Sequence, residues 1–419
     1  MRIIIASQTY TYGNGQASFT IRLAENLSAR GHQVMVLTPA KKMKSHSITI
    51  NDVRVEEIPA IHFSILHPSI YLTPFPAPRV KQLFDEFQPD VVHIQDHYFL
   101  SSAVVREARR RGIPAMGTNH FLPENLLPFL REYPSFERLA TIPLWGMMLA
   151  VFNQLDLATT PSKTAARILR GQRINIPVRP ISNGIDINRF HPDPTVDRAG
   201  IRRKYNLNPE KSLFLYMGRL DGEKRIDVLI KAVSLLKDVD DFQFAIGGYG
   251  LYETLLRKQV HDLGLEDRVN FIGYVTPEDL PSLLNSADIF MMPSPEELQS
   301  IATLEAMACA KPILAANARA LPELVASGEN GYLFQPNDPA DAARMVRQLL
   351  QEKDNWKKMG QVSFERVQVH SLENTLVRYE DQYKWIMEKI PARRPVFTLR
   401  KRAIRKYNLR NGIKDSVNR

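Results

Sequence analysis

The chain has 419 residues, of which 44% are hydrophobic and 24% charged, and this composition excludes a wholly disordered, fibrous or disulfide-built protein. Its formal net charge is +10, and its length predicts about two to three domains. The single cysteine, Cys309, cannot form an internal disulfide and indicates a reducing compartment.

The first half of the chain alternates short apolar strands with amphipathic helices. Strands are predicted at 3–6, 34–37 and 90–94, and helices at 18–29, 80–87 and 103–111. Alternation of this kind is typical of a parallel sheet that is covered by helices on both faces.

The same pattern starts again after 191–194, where two prolines interrupt it. Strands are predicted at 212–217, 242–246, 269–272 and 289–292, and helices at 226–236, 252–263, 277–285 and 301–308. Residues 340–390 are predicted to be helical. The sequence therefore predicts two α/β domains. Since such sheets bind ligands beyond the carboxyl ends of their strands, the loops at those ends are the candidate site.

Two motifs point to chemistries that their context does not favour. Residues 13–18 approach the GxGxxG pattern of a dinucleotide site. Such a site also needs an acidic residue at the end of the second strand, and the sequence has none there. The glycines, Gly15 among them, therefore indicate a tight turn or a close approach of the backbone to a ligand. Asp238-Val239-Asp240 matches a metal-holding DxD pattern, yet it lies at the amino end of the predicted sheet and is better explained as a solvated turn. No histidine and cysteine cluster has the spacing of a metal site, so no metal and no cofactor are expected.

Residues 218–225, GRLDGEKR, follow a strand and open a helix. Arg219 and Lys224 there suit a pyrophosphate, because helix N-termini and cationic side chains both attract anions. A solvated basic turn is the alternative for this segment alone.

Glu297 and Glu305 are eight residues apart, one in a loop after a strand and the other about one turn into the next helix. Glu297 can accept hydrogen bonds from sugar hydroxyls, Glu305 can accept two from a ribose, and the helix N-terminus at Ser300 and Ile301 can hold phosphate. The alternative is that Glu305 is a charge on the helix surface and Glu297 a first-turn partner of the helix dipole.

These segments together resemble the GT-B glycosyltransferases, specifically the retaining family 4. The Glu-x7-Glu element of that family is matched in ELQSIATLEAMACAKPI, and supporting matches are GRLDGEKRIDVLIKAV, SNGIDINRFHP, VNFIGYV and LPELVASGENGYLF. The resemblance covers roughly residues 1–390. It implies a Rossmann-like acceptor domain over 1–185, a Rossmann-like nucleotide-sugar domain over 186–370 that faces it across a cleft, a helix at 371–390 that returns to the first domain, and a basic tail at 391–419.

The resemblance also implies roles on the donor side. Arg219 and Lys224 would neutralise the donor diphosphate, and Glu297 would contact the transferred sugar. The remaining donor-binding candidates are Gly15, Gly273, Tyr274, Val275, Ser300, Ile301 and Glu305. Where the commonest family version has Phe-Gly, this chain has Gln299-Ser300, which is similar to the members that glycosylate diacylglycerol.

On the acceptor side, His120 matches the active-site histidine of the family, which supports developing positive charge on the sugar or orients it. Asp96, His97 and Glu124 are further acceptor candidates, and Glu124 is equally well explained as a charge at a helix N-terminus. The family retains anomeric configuration and needs no metal. Attack from the front face, with the leaving phosphate taking the acceptor proton, is the implied mechanism.

The positive charge is concentrated in residues 393–419, which hold ten Lys or Arg and one Asp. Their pattern predicts a basic amphipathic helix on anionic lipid, with a disordered tail or a nucleic-acid-binding protein acting through the tail as alternatives; no nucleic-acid partner is expected. The N-terminus lacks a secretory signal pattern, and the apolar run 139–152 is shorter than the ~20 residues that span a bilayer. We therefore expect a cytoplasmic enzyme, held at the inner face of the membrane, that transfers a hexose from a UDP- or GDP-sugar to a lipid such as diacylglycerol. A soluble or polysaccharide acceptor is the alternative.

Overall fold

A computed structural model describes residues 1–11, 15–41, 43–62, 71–122 and 134–389. Two sheets organise these residues. The eight-stranded sheet has the order β10-β9-β8-β7-β1-β2-β4-β3, and the six-stranded sheet has the order β13-β12-β11-β14-β15-β16.

The N-terminal domain is built on the eight-stranded sheet. Its strands are β1 (Arg2–Ala6), β2 (Gln33–Pro39), β3 (His46–Ile50), β4 (Val53–Ile58), β7 (Val91–Ile94), β8 (Ala115–Thr118), β9 (Leu157–Thr160) and β10 (Val178–Pro180), and β5 (Ile61–His62) pairs with β6 (Tyr71–Leu72) outside it. Its helices are α1 (Gly15–Ala29), α2 (Ala77–Phe87), α3 (Phe99–Arg111), α4 (Pro134–Phe152) and α5 (Lys163–Arg170).

The C-terminal domain is built on the six-stranded sheet. Its strands are β11 (Ser212–Met217), β12 (Phe242–Gly247), β13 (Val269–Gly273), β14 (Ile289–Met292), β15 (Ile313–Ala316) and β16 (Gly331–Phe334). Its helices are α6 (Arg198–Lys204), α7 (Ile226–Ser234), α8 (Glu253–Asp262), α9 (Leu280–Ser286), α10 (Ile301–Ala308), α11 (Leu321–Leu324), α12 (Pro339–Gln351) and α13 (Trp356–Val367). Helix α14 (Leu372–Lys389) follows.

The predicted elements are present, and several have the predicted bounds, as β11, β14 and α10 do. One expectation was too simple: β3 pairs antiparallel with β4, so the first sheet is not wholly parallel. The β3–β4 connection needs only Asn51 and Asp52, both at positive φ (47° and 61°), which is the geometry of a tight hairpin. Helix α1 also begins at Gly15, three residues earlier than predicted.

Helix α14 completes the core of the N-terminal domain although it follows the C-terminal domain in the chain. Leu376, Tyr379, Tyr383 and Ile386 are at most 3% exposed and pack against strands β1, β2 and β7. The hydroxyl of Tyr383 lies 2.8 Å from Nδ1 of His93, and Nε2 of His93 lies 2.7 Å from the Thr118 hydroxyl. The sequence made His93, like Asp96 and His97, a candidate for acceptor chemistry at this strand end; in the structure it is a fully buried core residue with both ring nitrogens engaged.

The two domains are in direct contact at their seam. The carboxylate of Glu323, on α11, accepts hydrogen bonds from the backbone N–H groups of Lys163 (3.1 Å) and Thr164 (2.6 Å) at the start of α5. Leu298 of the C-terminal domain is 5% exposed and packs into the N-terminal core with Leu122 and Trp145. Since α5 follows β9 and α11 follows β15, these contacts bring the carboxyl ends of the two sheets to face each other, and the space between those ends is called the cleft below.

Candidate active site

The central pair of the cleft joins the ends of two neighbouring strands. Lys224 lies in a short 3-10 turn (Gly222–Lys224) after β11, and Glu297 lies in the loop between β14 and α10. Since β11 and β14 are adjacent, the two side chains meet, and Nζ of Lys224 donates to Oε1 of Glu297 over 2.7 Å. Both are mostly buried, so the ion pair is only weakly screened by water.

Arg219 lies on the same side of the sheet and is paired with carboxylates of its own turn. Its guanidinium donates to Glu223 over 2.6 Å and contacts Asp221. The Arg219 backbone carbonyl accepts from the Tyr216 hydroxyl (2.9 Å), which fixes the turn after β11. Any anion that binds Arg219 would therefore compete with these two carboxylates.

Gly248 lets the ends of β11 and β12 approach each other closely. Its φ is +120°, and a Cβ added there would lie 1.9 Å from the carbonyl oxygen of Gly218. Only glycine fits at such a distance. The turn that carries Arg219 thus depends on a backbone contact that no side chain permits.

Two helix N-termini meet across the cleft. Ser300 is the N-cap of α10, and its hydroxyl accepts from the backbone N–H of Thr303 over 3.2 Å. A Cβ added at Gly15, the first residue of α1, would lie 3.7 Å from Cδ1 of Ile301. Since helix N-termini carry partial positive charge, this region is suited to an anionic group such as phosphate.

Glu305 lies one turn into α10 and is partly buried. Burial raises the pKa of its carboxyl to about 7, against the opposing effect of Arg22 on α1 and of Arg189. The site therefore holds a carboxyl group that changes charge near neutral pH.

This pKa predicts a pH-dependent stability of the ligand-free protein. The folded protein holds the proton of Glu305 more tightly than the unfolded chain does, because the pKa is about 7 in the folded state and about 4.5 in the unfolded state. The contribution of this group to the free energy of unfolding is therefore lost as pH rises from about 4.5 to about 7. Urea unfolding at about pH 5 and about pH 8 should show this decline in the wild type and a smaller decline in Glu305→Gln. The same substitution at exposed Glu278 is the control, and equal declines in all three proteins would contradict the prediction.

His120 lies just beyond the end of β8 in the cleft. Its Nε2 is 2.8 Å from Oε1 of Gln95, and its ring packs against Phe19 with 4.9 Å between centroids. Burial lowers the pKa of His120 to about 3, so the imidazole is neutral at pH 7. With Gln95 accepting from Nε2–H, Nδ1 is the hydrogen-bond acceptor of this ring.

Asp96 is engaged by the protein's own donors. Its carboxylate accepts from the backbone N–H of Gln8 (2.6 Å), the backbone N–H of Tyr98 (3.1 Å) and the Ser101 hydroxyl (2.7 Å), and the side chain of Gln16 lies within 3.4 Å. It is 2% exposed, and burial raises its pKa. This arrangement favours a role in holding the loops after β1 and β7 over direct contact with an acceptor.

The other predicted site residues are His97 and the segment 273–275. His97 is mostly buried, stacks on Tyr98 with 4.9 Å between centroids, and has its pKa lowered by burial to about 4. After β13, Gly273 has a φ of +68° and Val275 is buried, whereas Tyr274 is 63% exposed and lies 6.3 Å from the ring of Tyr249. Glu124 lies outside the described residues. No group of three or more potential ligands in the described part of the chain is placed to hold a metal ion.

The sequence reasoning did not anticipate the partners that hold the site together. Gln95 supports His120, Arg22 faces Glu305 from the other domain, and Leu298 anchors the β14–α10 loop. Only Gln95 carried a usable signal, because it directly follows a predicted strand and so belongs to the carboxyl edge of the sheet.

The two-sheet architecture and the cleft define the GT-B class of α/β proteins. In agreement with this, the Anabaena protein Alr3699/HepE, solved in complex with UDP, matches 92% of this chain and 100% of its own with a TM-score of 0.72 and 20% identity. Profiles described as "Glycosyl transferases group 1" and "Glycosyltransferase Family 4" match residues 197–366 and 13–189.

The chain belongs to the family 4 glycosyltransferases. Among its relatives, the sulfoquinovosyl transferase SQD2 of Arabidopsis thaliana is 23% identical over 96% of this chain and 77% of its own length. The alpha-monoglucosyldiacylglycerol synthase of Streptococcus pneumoniae is 23% identical over 80% of this chain and 75% of its own length.

Proposed function

We propose that this protein is a retaining glycosyltransferase that moves a hexose from a nucleotide-sugar to a hydroxyl of a membrane lipid such as diacylglycerol. The observation that carries the proposal is the meeting of the Lys224–Glu297 pair with the N-terminus of α10 in one cleft. An ammonium and a helix N-terminus suit a diphosphate, and a carboxylate suits sugar hydroxyls. The neighbour with bound UDP and the two relatives support a donor of this chemical class.

In the reaction, the bond between the anomeric carbon and the diphosphate oxygen breaks, and a new bond to the acceptor oxygen forms on the same face. The acceptor proton passes to an oxygen of the departing phosphate, and Lys224 and Arg219 stabilise the negative charge that the leaving group gains. In this proposal neutral His120 orients the sugar through a hydrogen bond. Most of the rate enhancement then comes from positioning and charge stabilisation.

The lipid acceptor is supported by the solvent-facing side of α4. One side of this helix is buried through Trp145, Met148 and Val151, as expected for a core helix. Over residues 141–152, whose side chains the structure describes, the opposite side is exposed and carries no charged residue; it consists of Ile142, Pro143, Gly146, Met147 and Ala150. An apolar surface on the acceptor domain fits a bilayer in which a lipid substrate resides.

Further apolar side chains of the same domain are exposed. Phe75 is 88% exposed and Phe99, at the start of α3 beyond the carboxyl end of β7, is 51% exposed. The basic segment 393–419, which would add electrostatic attraction to anionic lipid, lies outside the described residues. No helix that the structure describes is long and apolar enough to cross a membrane. We accordingly propose peripheral attachment at the cytoplasmic face.

The reaction is tested by supplying radiolabelled UDP-glucose or GDP-mannose together with diacylglycerol vesicles. We expect label in the organic phase, and proton NMR coupling of the product should give the same anomeric configuration as the donor. Label only in water-soluble products would contradict the lipid acceptor, and inversion would contradict the retaining mechanism.

The membrane contact is tested separately by Met147→Glu in α4. A charge on this exposed apolar side should reduce binding to vesicles of anionic phospholipid by roughly tenfold or more, since each buried apolar side chain contributes about 1.5–3 kcal/mol. Leu255→Glu, on an exposed position of α8 in the other domain, is the matched control. Equal binding of the two variants in a flotation assay would remove the support of α4 for the proposal.

A further inference from the structure

Gln299 lies between the site residues Glu297 and Ser300, and its side chain is bonded to the segment that connects the two domains. Gln299 is 8% exposed. Its Oε1 accepts from the backbone N–H of Asn183 over 2.8 Å, and its Nε2 donates to the Ser182 hydroxyl over 3.0 Å. Ser182 and Asn183 belong to the linker that follows β10 and leads to the C-terminal domain. This pair of hydrogen bonds is called the Gln299–linker contact below.

The linker is in turn paired with the second point at which the chain crosses between the domains. The backbone N–H of Ile185 donates to the carbonyl of His370 (2.9 Å), and the N–H of Leu372 donates back to Ile185 (2.8 Å). The Thr375 hydroxyl of α14 donates to the carbonyl of Ser182 over 3.2 Å. The two crossings thus form one bonded unit. A rotation of one domain against the other must change the torsions of this unit, since it contains both covalent connections.

Gln299 joins this unit to the catalytic loop. Glu297 precedes it by two residues and Ser300, the N-cap of α10, follows it directly. Between Glu297 and Gln299, Leu298 is fixed in the N-terminal core. Displacement of the linker by even about 1 Å would therefore be passed through a short, buried segment to the carboxylate and to the helix N-terminus, and misplacement of that size can cost about 10²-fold in rate.

We propose that Gln299 is a positioning residue that couples the rotation of the domains to the geometry of the donor site. In the closed arrangement the Gln299–linker contact holds Glu297 and Ser300 in place. When the domains open, the same contact draws the loop away, so that the donor is held for reaction only while water is excluded. This inference rests on the proposed function for its catalytic part, whereas its mechanical part stands on the contacts alone.

The kinetic test compares Gln299→Leu with the wild type for transfer to the acceptor and for hydrolysis of the donor to free sugar and nucleotide diphosphate. We expect kcat for transfer to fall about 10²-fold, with a raised donor KM and a raised ratio of hydrolysis to transfer. A merely structural role would lower the amount of active enzyme and leave KM and this ratio unchanged. Gln259→Leu, which removes a partly buried glutamine bonded to the Asp227 carbonyl within the C-terminal domain, is the matched control.

The mechanical test uses the distance between spin labels at Arg110→Cys and Lys258→Cys, one on each domain. The native Cys309 is 1% exposed and does not compete for labelling. Gln299→Leu should broaden the distance distribution of the donor-free protein. Ser182→Ala removes the partner of Nε2, a hydroxyl that also accepts from the backbone N–H of Gly184, but keeps the bond from Asn183 to Oε1. It should act in the same direction with a smaller effect and serves if Gln299→Leu fails to fold.

The outcomes separate the two proposals. If the variants show a broadened distribution of label distances but the wild type turns over no nucleotide-sugar, the coupling stands and the proposed function is overturned. An active wild type, with variants whose KM, hydrolysis ratio and label distances are unchanged, would overturn the coupling.

Discussion

Replacing Lys224 with alanine is expected to reduce kcat/KM for the nucleotide-sugar by about 10²–10³-fold, the usual effect of removing one preorganised donor to a developing negative charge. In the proposed reaction Lys224 donates to the departing diphosphate, and in the structure it also pairs with Glu297 through a contact of 2.7 Å. Its loss leaves the Glu297 carboxylate unpaired in a mostly buried position, where it repels the diphosphate. The measurement is product formation at subsaturating donor.

Lys231→Ala is the matched control, because Lys231 is an exposed lysine on α7, the helix that follows the turn containing Lys224. It should retain wild-type kcat/KM. If Lys224→Ala retains more than about a tenth of wild-type activity, the anion at this position is bound by the helix N-termini and Arg219 instead, and the assignment of Lys224 is wrong.

Tyr383→Ala is expected to give the largest loss of stability among single substitutions in α14. Truncating a fully buried aromatic side chain costs about 3–5 kcal/mol through lost burial and the cavity left behind. The substitution also removes the hydroxyl that pairs with Nδ1 of the buried His93. The loss should be measured by hydrogen exchange of the amides in β1 and β7, which pack in the same domain as α14.

Tyr383→Phe separates the two contributions. It keeps the ring and leaves His93 with one unsatisfied nitrogen, which should cost about 1–3 kcal/mol. Exchange in β11 and β12 of the C-terminal domain provides the internal reference. Equal protection of β1 in the wild type and Tyr383→Ala would mean that α14 does not contribute to the first domain.

The sequence predicted the candidate site best where its residues lie in the loops that follow strands. Lys224 and Glu297 could each be assigned to the candidate site because both lie in segments that follow apolar strands, and parallel strands end at one edge of a sheet. Their ion pair was not predicted. The strand bounds followed from short apolar runs, as in β11 and β14.

The sequence was least informative about contacts between distant segments. Gln299 was noticed only as a departure from a family pattern, since its partners lie more than a hundred residues away in the linker. Asp96 was taken as a candidate for acceptor chemistry because a carboxylate at a strand end is usually accessible; here donors from three neighbouring loops and helices engage it. Burial and hydrogen-bond partners of this kind depend on the tertiary structure, which periodicity does not encode.

The position of α14 also determines the order in which the protein can mature during synthesis. The core of the N-terminal domain lacks Leu376, Tyr379, Tyr383 and Ile386 until α14 has been made, after the C-terminal domain. The strands and helices of the C-terminal domain are complete by Val367. On the ribosome the domain that is made first usually folds first. Here the C-terminal domain can complete its core before the N-terminal domain does. The N-terminal domain, although made first, therefore exposes the apolar surface that α14 covers until the C-terminal domain has been synthesised.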